Sequence, residues 1–269
     1  MNKRTYRLAA HLGLRSAVEY RTNYVVGLIS VIFPLLIQFS LWSAAFGQRE
    51  AGAVILGYTY PQMLLYSLTA TMSARFLSTD VHTRIAEEIK GGQLNRYLVQ
   101  PIVYPAYRLS VFLGEKVMHF IVNAIILTAG LVFMSVTGLV HVETANILLY
   151  LADIPLAMML NFLMFLCISF LSFWLIEVSR VFGVISILLT IFSGAILPLD
   201  VFGETAVHIL QNFPFFYTSY FLTNILSGRL AITQIGQSVL IQLGWIALLT
   251  ALAALLWYRG KRRYEGVGG

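Results

Sequence analysis

The 269-residue chain is 58% hydrophobic and 11% charged, with a formal net charge of +6. No soluble domain hides that much apolar surface, and basic residues flanking apolar runs point to anionic lipid rather than nucleic acid. The lone cysteine, Cys167, excludes an intrachain disulfide, and His11, His82, His119, His141 and His208 lack metal-ligand spacing.

At the N-terminus, MNKRTYRL lacks the short apolar core and small-residue cleavage site of a signal peptide. Residues 1–22 are instead expected to form an interfacial helix. Arg4, Arg7, His11 and Arg15 share one face, with Tyr6, Ala10, Gly13, Ala17 and Tyr20 towards the other.

Six apolar runs follow, at 25–46, 54–77, 117–140, 147–176, 181–199 and 239–258. Each is close to the roughly 20 residues that a helix needs to cross the hydrocarbon core. The expected fold is therefore all-α: a single polytopic membrane domain with six transmembrane helices. Pro34 and Pro61 are expected to kink the first two spans. With both termini on one side, that side collects every Lys and Arg of the 18 except Arg49 and Arg229, which makes it cytoplasmic.

The longest polar segment, 78–110, lies between spans two and three. Thr79 or Asp80 can cap a helix that runs through Ile89 and ends at Gly91-Gly92. A second short helix, Gln93–Val99, stops before Pro101. Asp80, Arg84, Glu87, Glu88 and Lys90 make the segment polar, whereas Ile85, Ile89, Leu94 and Leu98 are expected to face the membrane. Length, mixed charge and caps together suggest a docking helix for a cytoplasmic partner.

Residues 200–228 form an outer segment too apolar for a solvated loop. Phe213, Phe215, Phe216, Tyr217, Tyr220 and Phe221 crowd around Pro214, soon after Pro198. A pair of short re-entrant helices, shielded by protein, is the expected form. Asp153 is the acidic residue set deepest in a span. Two roles stay open for it: contact with a cationic substrate, or a hydrogen bond to a neighbouring helix.

The chain lacks a Gly-x-x-x-x-Gly-Lys-Ser/Thr loop, a Gly-x-Ser-x-Gly elbow, a His-Glu-x-x-His pair and an Asp-x-x-Asp cluster. These absences weigh against an intramembrane lipid enzyme. A non-transporting scaffold or a channel is the other alternative.

The order of parts resembles a known family. The loop reading Glu88-Ile89-Lys90-Gly91-Gly92-Gln93-Leu94-Asn95-Arg96-Tyr97-Leu98-Val99-Gln100-Pro101 is similar to that of permease subunits of six-span ABC-type exporters. So is Phe192-Ser193-Gly194-Ala195-Ile196-Leu197-Pro198-Leu199, followed by Phe213-Pro214-Phe215-Phe216-Tyr217. The viologen-exporter-like or multidrug branch is the nearest in pattern.

The resemblance implies a half-permease in a bacterial inner membrane, paired with a second copy or a related permease. Two separate ABC ATPase subunits would bind ATP and Mg, and this chain would bind no cofactor. Asp80, Arg84, Glu87, Glu88 and Lys90 would lie on the ATPase-coupling helix. Pro198, Phe213, Pro214, Phe215, Phe216 and Tyr217 would form an outer gate. The substrate path would run along spans one, two and five.

Overall fold

The computed structural model describes residues 3–19, 21–47, 49–50, 52–175 and 178–264, with side chains described except at residue 3 and over 18–19, 21–31 and 178–181. Tyr20, Ile176 and the side chains of Arg21 and Arg180 thus lie outside the described residues. The chain is predominantly helical, with one short hairpin.

Helix α1 (Lys3–Glu19) leads into α2 (Arg21–Gly47), which carries Pro34. Strands β1 (Val54–Ile55) and β2 (Tyr58–Thr59) then pair antiparallel. Helices α3 (Tyr60–Leu77), α4 (Val81–Lys90), α5 (Asn95–Leu98), α6 (Tyr104–Val136) and α7 (Thr144–Phe170) follow, and then α8 (Val178–Phe192). Two short helices, α9 (Glu204–Leu210) and α10 (Tyr220–Leu226), precede the last long one, α11 (Ile232–Arg263).

Among the described residues, three helical stretches are long and apolar enough to cross a membrane: Tyr104–Val136, Thr144–Phe173 and Ile232–Arg263. Ile32–Gly47 and Phe182–Phe192 are shorter apolar stretches. Exposed Phe33, Ile37, Ile125, Phe133, Ile187 and Leu240 line the outer faces of α2, α6, α8 and α11. Such continuous apolar surface needs lipid or a partner to cover it.

Two helices occupy the middle. Helix α3 is buried over most of its length, and its Ser67, Thr69, Thr71 and Ser73 are buried too. Two of these are held by bonds: Thr69 Oγ1 donates to Leu65 O at 2.7 Å, and Ser73 pairs with the Tyr150 hydroxyl of α7 at 3.1 Å, whereas Ser67 Oγ has no partner among the described residues. Helix α7 packs against α11, α10 and α4, while α3 packs against α2, α6 and α10.

Helix α1 lies along the start of α6 at backbone contact. A Cβ on Gly114 would stand 1.9 Å from Ala10 O, and one on Gly13 would stand 2.2 Å from Val111 O. Only glycine permits that approach. Ala9 and Ala17 are buried, and Arg4, Arg7, His11 and Arg15 are exposed.

Three expectations need correction. Pro61 does not kink a helix, because it stands in the first turn of α3, where its missing N–H is not needed. The run from residue 54 is not helical from its start. Leu56 (φ 53°) and Gly57 (φ 76°) make a two-residue turn, so Val54–Thr59 pair as a ribbon. The run 181–199 stops as helix at Phe192, where Gly194 (φ 73°) turns the chain.

Candidate functional site

The residues of the polar segment between α3 and α6 come together around one carboxylate. Helix α4 starts after Asp80, where the Val81 N–H donates to Thr79 Oγ1 at 3.2 Å, and it ends at Gly91. Its period places Val81, Ile85, Ala86, Glu88 and Ile89 inward, with Asp80, Thr83, Arg84, Glu87 and Lys90 exposed.

Glu88 is 6% exposed and fully engaged. Its Oε1 accepts from Arg96 Nη2 at 2.9 Å and from the Tyr97 hydroxyl at 3.1 Å. Its Oε2 accepts from the Tyr104 hydroxyl at 2.6 Å and also pairs with Arg108 of α6. Burial alone would raise the Glu88 pKa, but bonds from Arg108, Tyr104 and Arg96 outweigh it and hold the carboxyl below its ordinary value. The Tyr104 ring stacks on Trp257 of α11 with centroids 5.1 Å apart, which extends the cluster to the last helix.

Further ties fix α4 to the bundle. Arg84 pairs with Glu115, and Lys116 donates to Ser78 O. The His82 ring stacks on Phe165 of α7 at 4.6 Å and meets Phe182 of α8 edge-on at 4.9 Å. The inner side of α4 is therefore tied to α6, α7 and α8.

The loop differs from expectation in two ways. Glu88, expected on the polar side of the segment, is buried and holds the cluster together. Ile85, Ile89 and Leu94 face the protein core instead of the membrane, because α6 and α7 offer them a closer apolar surface. Leu98 and Val99 stay exposed, Val99 at 84%.

On the opposite side, Pro198 is buried and opens the turn Leu199–Phe202. Pro214 begins the turn Pro214–Tyr217 between α9 and α10. Phe216 and Tyr217 are buried, Phe215 is half-buried beside Phe192, and Phe213 is exposed and stacked on Phe215 at 5.4 Å. Helix α10 is buried throughout and packs on α3 and α7.

Asp200 ties this segment together. Its Oδ2 accepts from the Tyr58 hydroxyl at 2.9 Å and from the Tyr220 hydroxyl at 3.0 Å. Arg229 reaches to 3.8 Å from its Oδ1 and lies over the Tyr58 ring at 3.5 Å from the centroid. A Cβ at Gly57 would stand 3.2 Å from Arg229 Nη2, so the hairpin turn also makes room for this cation. The neighbouring Tyr66 hydroxyl donates to Gly194 O at 2.6 Å. Burial raises the Asp200 pKa, and the bond from Tyr220 only partly opposes it.

Asp153 is 3% exposed and meets α11. With the Gln242 amide oriented to satisfy both its atoms, its nitrogen donates to Asp153 Oδ1 at 2.8 Å and its oxygen accepts from Ala157 N at 3.2 Å.

Sequence reasoning missed Arg96, Tyr104 and Arg108 as partners of Glu88, and Asp200, Tyr58 and Arg229 as an outer cluster. The Tyr104–Arg108 spacing of four on one helix was the available signal for the first. Arg229, as one of only two basic residues assigned to the outer side, was the signal for the second.

A family model described as ABC-2 family transporter protein matches residues 31–268. No curated protein matches the sequence.

Proposed function

The chain belongs to the ABC-2 transporter family, whose members are membrane permease components served by ABC ATPase subunits, and we propose that it is one half of an exporter permease. In this reading six helices cross a bacterial inner membrane: α2, α3, α6, α7, α8 and α11. Both termini are cytoplasmic, as the Lys and Arg distribution favours. The chain pairs with a second copy or a related permease, above two ATPase subunits that hold ATP and Mg. Its cargo is hydrophobic or amphipathic.

Helix α4 is the coupling element. The observation that carries this is its two-sidedness: Thr83, Arg84 and Glu87 lie outward, while the opposite face is fastened to α6, α7 and α8. Closure of the ATPase pair on nucleotide would push the outer face, and the ties would carry the displacement into the bundle as a rigid body. Outside, α9 and α10 with their aromatics act as the gate, re-entrant at the membrane surface. Asp153, paired with Gln242, fits an interhelical contact better than a substrate contact.

Reversing Glu87 to Lys tests the assignment, because the residue is exposed and outside the Glu88 cluster. Folding stability should move by no more than about 0.5 kcal/mol, while co-purification with the ATPase subunit and ATP turnover of the complex fall severalfold. Normal assembly and turnover in Glu87→Lys would sink the coupling role.

A further inference from the structure

A cavity of about 440 Å³ lies between the end of α2, the chain that follows it and the start of α3. That volume is within the usual size of ligand pockets, about 300–1,000 Å³. Phe46 and Tyr60 line it with ring centroids 5.5 Å apart, and the Ser43 and Tyr60 hydroxyls are bonded to each other at 2.8 Å. Arg49 and Glu50 line it as well, and both are exposed. Among the described residues, neither makes an ion pair or a side-chain hydrogen bond. Two unspent charges of opposite sign at one cavity match a ligand that carries both signs.

An apolar track leads to the same place. Ile32, Leu36, Ser43 and Gly47 are spaced by four and seven, so they share one stripe of α2, and all four are exposed. Phe33 beside them is 62% exposed. At 1.5 Å per residue, the stripe from Ile32 to Ser43 runs about 16 Å, the scale of an extended acyl chain. Ile32–Gly47 is also the apolar stretch of α2, so the cavity sits where apolar helix gives way to polar chain. Lipid headgroups lie at that level. The two features together suit a ligand with a zwitterionic head and an apolar tail.

We propose that this site holds one phospholipid with a phosphoethanolamine headgroup, its acyl chain laid along the exposed stripe of α2. Arg49 takes the phosphate, and the Glu50 carboxylate accepts N–H bonds from the primary ammonium. A choline headgroup brings the same charges but has no N–H to donate. A phosphoglycerol headgroup leaves Glu50 facing an anion with no cation between them. The lipid is a bound component of this chain, and its binding does not depend on transport or on the ATPase.

The test places the full chain in nanodiscs of equal parts phosphatidylethanolamine, phosphatidylcholine and phosphatidylglycerol with the same acyl chains. Native mass spectrometry then reads which lipid the released protein keeps. One phosphatidylethanolamine, ahead of the other two lipids, is the expected result. Glu50→Gln keeps the size of the side chain but removes its charge, and should cut the preference for ethanolamine over choline about threefold, the scale of a partly exposed ion pair. Arg49→Gln should lower retention of all three lipids together, with the melting temperature of each variant measured as a folding control. Glycerophosphoethanolamine, which has the headgroup without acyl chains, should displace the lipid only at far higher concentration. Equal retention of the three lipids by the unaltered chain, as when a second copy covers this stripe of α2, would overturn the site. An undiminished preference in Glu50→Gln would overturn the charge assignment, and glycerophosphoethanolamine competing as well as the lipid would overturn the acyl track.

Discussion

Two carboxylates organise the two ends of this protein, and they are held in opposite ways. Glu88 receives four donors, two from arginines and two from tyrosines. Asp200 receives two tyrosine hydroxyls on a single oxygen, and its arginine stops at 3.8 Å, beyond hydrogen-bond range. The environment therefore favours the anion at Glu88 and disfavours it at Asp200, as their lowered and raised pKa values reflect. A saturated cluster, with one carboxylate held between two arginines, makes a rigid joint. An under-compensated one makes a latch that opens at small cost. The end that holds Glu88 is thus built to stay assembled, and the end that holds Asp200 is the more easily opened.

Removing Glu88 should produce the largest effect. Glu88→Ala leaves Arg108, itself 8% exposed, as a buried charge without its carboxylate. Breaking a buried pair in this way costs about 3–5 kcal/mol. Thermal unfolding of the purified chain should show it, together with loss of ATPase binding. Asp200→Asn should cost less, about 1 kcal/mol, because an amide oxygen can still accept from a tyrosine and the distant Arg229 loses little. If the two substitutions destabilise equally, the contrast between joint and latch fails.

Acidification should move the two ends in opposite directions. The Glu88 carboxyl is held below its unfolded value, so its contribution is present above the ordinary carboxylate range, about pH 4, and is lost as pH falls through the lowered folded pKa. Asp200 is held above its unfolded value, so protonation favours the folded outer cluster. Its contribution is complete below the ordinary range and declines as pH rises towards the raised pKa. Amide hydrogen exchange, corrected for intrinsic rates, should show α9 and α10 gaining protection on acidification before α4 loses any. Parallel changes at both ends would remove the electrostatic distinction.

Much of this frame was legible in the sequence, and what was not has identifiable causes. Helix α4 begins after Asp80 and ends at Gly91 because cap residues act locally. The turn at Pro214 was readable for the same reason. The inward aim of Glu88 was not, because its partners Tyr104 and Arg108 sit on another helix and a charged residue is ordinarily assigned to solvent. Val54 and Ile55 merged into the following apolar run, since two-residue strands are too short to show alternation. Asp200, Tyr58 and Arg229 are separated by up to 171 positions, and no local pattern links them.

The finest distinction separates the two contacts that Tyr58 makes, and Tyr58→Phe carries the smallest loss. Tyr58→Phe removes the hydroxyl from Asp200 Oδ2 but keeps the ring beneath Arg229. Tyr220 remains to satisfy that oxygen, so the loss should be about 0.5–1 kcal/mol. Tyr58→Leu removes the ring as well and should cost about 0.5–2 kcal/mol more through lost cation–π attraction. Exchange at α10 is the local readout, because Tyr220 carries the latch into that helix. If the Phe and Leu variants behave alike, Arg229 draws nothing from the ring. The latch would then rest on hydrogen bonds alone, and salt should leave it unaffected.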